Sequence, residues 1–236
     1  MSDPTELKLT ALFEDDRILA IDKPSGLASH ALNPTDHSVE NLLRRQNKDL
    51  HLLHRLDTGT SGVLLFAKTS GIYEQMREQF KLRTIQKYYR AWTAAVISQT
   101  WDLPLTIDAP LAHHEKSKKR MIALRSPQDR HYRGKPLVAI TKILHIHPVT
   151  PLTEIQVQII TGVMHQIRVH LKHIGLPLIG DSIYSAGPST VTEPVNAKRL
   201  GLHAERVVFN LNGHDYEITS KKPALQNLID LNFTGT

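Results

Sequence analysis

Nine consecutive residues, His54-Arg55-Leu56-Asp57-Thr58-Gly59-Thr60-Ser61-Gly62, run without a break into the apolar stretch Val63-Leu64-Leu65-Phe66. An acid and an arginine two positions apart thus sit on a glycine-punctuated turn that feeds a buried strand. The glycines permit positive φ and close backbone approach, and the hydroxyls of Thr58, Thr60 and Ser61 can satisfy the amides of the turn. Such a turn can keep one carboxylate ionised and aimed. Taken alone, Asp57 beside Arg55 also fits a structural ion pair at the entry to a strand, so the rest of the chain has to decide.

Around that turn the pattern alternates between short strands and short helices. Residues 9–22 read as two strands about the acidic turn Glu14-Asp15-Asp16, ended by Pro24-Ser25-Gly26. Ser38 caps a helix through Gln46, residues 62–67 form a strand, and residues 69–82 set Ile72, Met76 and Phe80 at helical spacing. Next come a strand over 86–97 and a hairpin pairing 137–146 with 152–160, in which Ile155, Val157 and Ile159 face inward. A helix over 165–174 follows, with Ile167, Leu171 and Ile174 on one stripe and His165, Arg168 and Lys172 on the opposite side. A loop over 185–196, a closing hairpin of 206–211 with 216–219, and a terminal helix over 223–229 complete the chain. No repeat or linker divides it. The expectation is an α+β fold, a single mixed domain over residues 1–236 built on a mainly antiparallel twisted β-sheet flanked by helices and loops.

Charge is distributed unevenly. Between His113 and Lys135 the cations Lys116, Lys118, Lys119, Arg120, Arg125, Arg130, Arg133 and Lys135 stand against only Glu115 and Asp129, a surplus equal to the +6 of the whole chain. The segment has no clear period and reads as a loop with a short strand at 121–124. It would grip phosphates without reading sequence, so nucleic acid is the expected partner. The absence of cysteine excludes disulfides, thiol nucleophiles and thiolate metal sites. His170 and His173 are helical neighbours, but His165 lies well round from them and no nearby carboxylate completes a site, so no metal is expected. No apolar run approaches the roughly 18 residues of a spanning helix. The N-terminus also lacks an apolar signal core, so no membrane is expected and the cytoplasm is the expected compartment.

The opening nonapeptide resembles the signature of the RluA-type RNA pseudouridine synthases. Three further blocks resemble the same family in the same order. Asp22-Lys23-Pro24-Ser25-Gly26-Leu27 looks like its early turn, and Lys87-Tyr88-Tyr89-Arg90-Ala91 like its K-x-Y-x-A strand. Thr161-Gly162-Val163-Met164-His165-Gln166-Ile167-Arg168-Val169-His170-Leu171 is similar to its TGRTHQIRVHL block, continuing through Gly175, Pro177, Gly180, Asp181 and Tyr184. Leu202-His203-Ala204 also fits. Where many members of that family carry Arg-Thr, this chain has Val163-Met164, a change expected to bear on substrate choice or local packing and not on activity.

The resemblance implies a pseudouridine synthase fold and the isomerisation of uridine in ribosomal or transfer RNA, with no cofactor. It names Asp57 as the catalytic acid, Arg168 as its cationic partner and Tyr89 as the residue against the target base. Arg55 would enter the stack where the flipped nucleotide has left, and the basic segment would bind RNA. Burial alone would raise the pKa of Asp57, and a buried cation would offset that. The expected protein is a monomer without a separate N-terminal RNA-binding domain. Two other readings stand beside this one: an RNA-binding member whose chemistry has lapsed, against which the intact Asp57, Tyr89 and Arg168 speak, and an aspartate-dependent glycosidase, which lacks an obvious paired carboxylate.

Overall fold

The computed structural model describes residues 9–31, 33, 35–46, 49–95, 97, 101–126, 128–184 and 196–230. In chain order these form β1 (Thr10–Glu14), β2 (Ile18–Lys23), α1 (Val39–Arg45), β3 (His51–Leu52), β4 (Ser61–Ala67) and α2 (Ser70–Leu82). Then follow β5 (Gln86–Thr93), β6 (Leu105–Ile107), β7 (Leu111–His114), β8 (Met121–Ala123), β9 (Tyr132–Leu137), β10 (Thr141–Val149) and β11 (Leu152–Ile159). The last are α3 (Gln166–His173), β12 (Leu202–Leu211) and β13 (His214–Thr219). The α+β class read from the sequence is the one observed. Among the described residues no helix is long and apolar enough to cross a membrane.

The chain packs as two compact units, one of residues 1–85 with 204–221 and one of residues 86–203 with 222–236. In the first, strands run in the order β1, β2, β4, β12, with β13 on β12 and β3 on the end of β4. The acidic turn forms because the Asp15 carboxylate accepts from the amides of Arg17 and Ile18, at 2.8 and 2.7 Å. Ser38 and Thr69 cap α1 and α2 by accepting from the amides of Asn41 and Ile72. The stripe Ile72, Met76 and Phe80 of α2 packs on Ile18, Val63, Leu65 and Val207, as its spacing predicts. Every residue of β4 is buried. Gly62 enters that strand at φ 109°, and a Cβ there would lie 2.1 Å from the Ala204 carbonyl oxygen, so no other residue fits.

In the second unit β5, β11, β10 and β6 are consecutive and antiparallel, in the register Tyr89↔Val157 and Ile143↔Leu105. Ile155, Val157 and Ile159 are buried as their alternation predicts. The basic segment differs from the sequence expectation. It is a three-stranded antiparallel sheet, β8–β7–β9, rather than a loop with one short strand. Leu111 and Met121 pin this sheet into an apolar cluster with Ala139, Val169 and Tyr184. Residues 223–229 also differ: a single 3-10 turn at Leu225–Asn227 replaces the expected helix. There Leu228 and Ile229 bury against Trp92, Leu152 and Ile179, and their backbone pairs with Lys198 and Ala197 instead of continuing a helix. The expected loop at 185–196 lies, apart from Asn196, outside the described residues.

Candidate active site

In the first unit Asp57 is half-buried on the connection from β3 to β4, between exposed Arg55 and exposed Thr58. The segment following β2 holds this connection at successive backbone positions. Lys23 is fully buried, and its ammonium donates to the carbonyl oxygens of Pro24, Leu27 and Thr58 at 2.9, 2.6 and 3.2 Å. The Gly26 amide donates to the same Thr58 carbonyl at 2.8 Å. Ser25 donates to the Gly59 carbonyl at 2.6 Å. The Ser29 hydroxyl closes a reciprocal pair with Leu56, donating to its carbonyl and accepting from its amide at 2.8 and 2.9 Å. The Thr60 amide returns to the Asp57 carbonyl at 2.9 Å, tightening the turn. Residues 56, 58 and 59 therefore have little freedom, and the Asp57 side chain is presented from a fixed backbone. His54 is structural here: its Nε2 accepts from the Leu65 amide and its ring lies against Phe80.

In the second unit Tyr89 is buried on β5, opposite Val157. Arg168 is buried on α3, a helix whose side chains Gln166, Arg168 and His170 all bond to residues outside it. Gln166 accepts from Thr161 and the Val163 amide, and donates to the Ile140 carbonyl and Thr141. His170 donates through Nε2 to the Ala109 carbonyl, which leaves Nδ1 to accept from the Thr141 hydroxyl. Burial holds its pKa below the ordinary histidine value. Because both ring nitrogens are used in this way, His170 is a strut of the fold.

Arg168 forms a two-pronged pair with Asp181, Nε to Oδ2 and Nη2 to Oδ1, both 2.8 Å. Asp181 also accepts from the amides of Ile183 and Tyr184 at 3.0 Å each. Burial alone would raise its pKa, but the Arg168 hydrogen bonds and charge, with those two amides, hold it below the usual carboxylate range. In the sequence Asp181 stands only as part of the block that continues past α3, and these two amides show it capping a turn. It orients the arginine as well. The GD-x-x-Y spacing carried this signal, since an acid three residues before a buried tyrosine can cap the turn that delivers both. The role of Lys23 was also missed, although its block was recognised.

The cations Lys116, Lys118, Lys119, Arg120, Arg125, Arg130 and Arg133 are all exposed on the small sheet and its turns. Val163, at the departure from the family pattern, packs against the apolar cluster that seats this sheet, while Met164 is exposed.

A family model described as RNA pseudouridylate synthase matches residues 17–173, a span that contains Lys23, Asp57, Tyr89 and Arg168. The chain is 34% identical over 217 residues to the dual-specificity RNA pseudouridine synthase RluA of Vibrio vulnificus, covering 87% of this chain and 79% of that protein. It is 33% identical to the ribosomal large subunit pseudouridine synthase D of Nitrosomonas europaea, over 84% of this chain but only 57% of that longer protein. The fold is shared with human RNA pseudouridylate synthase domain containing 1, at a TM-score of 0.76 and 20% identity, covering 94% of this chain and 87% of the human one.

Proposed function

The chain belongs to the RNA pseudouridylate synthase family, and on that premise we propose that it isomerises uridine to pseudouridine in structured ribosomal or transfer RNA, as a cytoplasmic monomer. The observation that carries this reading is the clamped Asp57 turn, where the backbone on both sides of the acid is fixed by Lys23, Ser25 and Ser29.

In the reaction the N1–C1′ bond of the uridine breaks, the base turns, and a C5–C1′ bond forms. The C5 hydrogen leaves as a proton and N1 takes one up, so atoms and electrons balance without a co-reactant. Asp57 engages the ribose or the base; proton abstraction from the ribose, attack at the anomeric carbon and addition to the base all suit a single aimed carboxylate. Tyr89 offers a flat apolar face to the uracil and one polar atom for the C5 proton. Arg168 is the cationic member of the proposed catalytic set. Arg55, exposed beside Asp57, fills the gap left by the extruded nucleotide, where a planar guanidinium can both stack and bind phosphate. Lys116, Lys118, Lys119, Arg120, Arg125, Arg130 and Arg133 hold phosphates.

The test uses cellular RNA carrying tritium at uridine C5, because each turnover releases that label to water. Wild-type protein is expected to release tritium without added cofactor, and Asp57→Asn to lower the rate by a factor on the order of 10³ or more while still binding RNA. Equal release by Asp57→Asn removes the acid from the mechanism. Binding without release by the wild type leaves only the RNA-binding reading. Replacing Lys118, Lys119 and Arg120 by alanine is expected to reduce the salt dependence of RNA binding by a log–log slope of about two to three.

A further inference from the structure

Tyr184 is buried, yet every part of it is engaged by a different element of the second unit. Its ring lies beneath the Arg168 guanidinium, with Cζ 5.1 Å from the ring centroid. Its amide donates to Asp181, the carboxylate that pairs with that same arginine. Its hydroxyl accepts from the Met121 amide at 2.8 Å and shares a 2.8 Å hydrogen bond with His165 Nδ1. The His165 ring stands edge-on to it at 5.5 Å, at the left-handed residue that starts α3.

Met121 is the first residue of β8, directly after the exposed cations Lys118, Lys119 and Arg120. That turn is closed by the His114 amide donating to the Arg120 carbonyl, so the position of the turn follows the position of Met121. Met121 in turn is fixed by the Tyr184 hydroxyl and by the cluster of Leu111, Ala139 and Val169. A single buried side chain therefore sits between a surface rich in cations and a buried arginine.

We propose that Tyr184 is a positioning residue with two separable tasks: its ring seats the Arg168 guanidinium, and its hydroxyl anchors the cationic β7–β8 turn. This rests on the reading that Arg168 serves the isomerisation and the small sheet grips RNA. The ring acts through contact with a cation, which Phe preserves and Leu does not. The hydroxyl acts as an acceptor for a buried amide, which neither replacement preserves.

The two tasks are distinguished by measuring RNA affinity and the saturating rate of tritium release separately, using the C5-tritiated cellular RNA. Tyr184→Phe is expected to weaken RNA binding about fivefold, the worth of the buried hydrogen bond to the Met121 amide, while the saturating rate stays within about twofold of wild type. Tyr184→Leu is expected to weaken binding similarly and to lower the saturating rate by about tenfold or more as Arg168 loses its seat. Wild-type affinity in the Phe variant overturns the anchoring role, and a wild-type saturating rate in the Leu variant overturns the seating role. A merely structural residue would lower the unfolding temperature and leave both quantities unchanged, which also overturns the proposal. If the Leu variant does not fold, the near-isosteric Phe variant still decides through its split between affinity and rate. Wild-type release separates the two readings: RNA binding without tritium release by the wild type sinks the functional reading and this inference with it. Tritium release by the wild type beside an equal saturating rate in Tyr184→Leu sinks the seating role and leaves the functional reading standing.

Discussion

Asp57 stands on a turn held through its backbone, whereas Arg168 stands on a helix held through its side chains. The turn is gripped by one lysine and two serines, which bind the carbonyls of Leu56, Thr58 and Gly59. The helix is gripped by Asp181, Thr141, Ala109 and Tyr184, which between them answer Arg168, Gln166, His170 and the cap residue His165. A backbone clamp leaves the acid's side chain as the part that is presented, whatever residue stands at position 57. A side-chain clamp makes the arginine itself part of what is held. Change at Asp57 should therefore be tolerated structurally and fatal chemically, while change around Arg168 should disturb both.

The largest structural effect is expected from Asp181→Ala, which strands a buried guanidinium. Removing one partner of a buried pair costs about 3–5 kcal/mol. Chemical unfolding would measure it, and hydrogen exchange should quicken at the Ile183 and Tyr184 amides while the Gly26 amide stays protected. A loss confined to the Gly26 region would break the comparison.

Lys23→Met is the mirror experiment. It keeps the apolar stem and takes the ammonium donor from the Pro24 and Leu27 carbonyls, the second of them buried, for a cost of about 1–3 kcal/mol. Here the Gly26 amide should exchange faster and the Tyr184 amide should not. Activity should fall through a misplaced turn, in kcat more than in RNA affinity.

The smallest effect is one of pH. His170 and His173 are both held below the ordinary histidine value by burial, and Asp181 is held below the usual carboxylate range, its arginine and amides outweighing burial. All three bind protons less readily folded than unfolded, so their stabilisation is complete at high pH and is lost on acidification. Stability should begin to decline below about pH 6.5 through the histidines, and again below about pH 4 as Asp181 protonates. His170→Gln should remove part of the first decline. Unfolding free energies that are flat between pH 5 and 7 would show that the histidines of α3 contribute nothing of this kind.

What could be read in advance was whatever has a local cause. The Asp15 turn, the Ser38 and Thr69 caps, the Ile72–Met76–Phe80 stripe and the alternation of Ile155, Val157 and Ile159 each leave a mark within a few residues, and each formed as expected. The small sheet was less legible. Its strands of three to six residues are rich in exposed cations, and what makes them strands is pairing with one another and the burial of Leu111 and Met121. The end of the chain misled for a similar reason, since Leu228 and Ile229 are claimed by Trp92 and Leu152 before a helix can form.

By itself the sequence determined the family, through ordered blocks that fix residue types at set spacings, and most of the elements that carry them. Only the tertiary structure decided what holds each block in place. Lys23 meets Thr58 across 35 positions and Tyr184 meets Met121 across 63. Those partners share no period and no local propensity, because a buried hydrogen bond is chosen by which groups the folded chain brings together out of water.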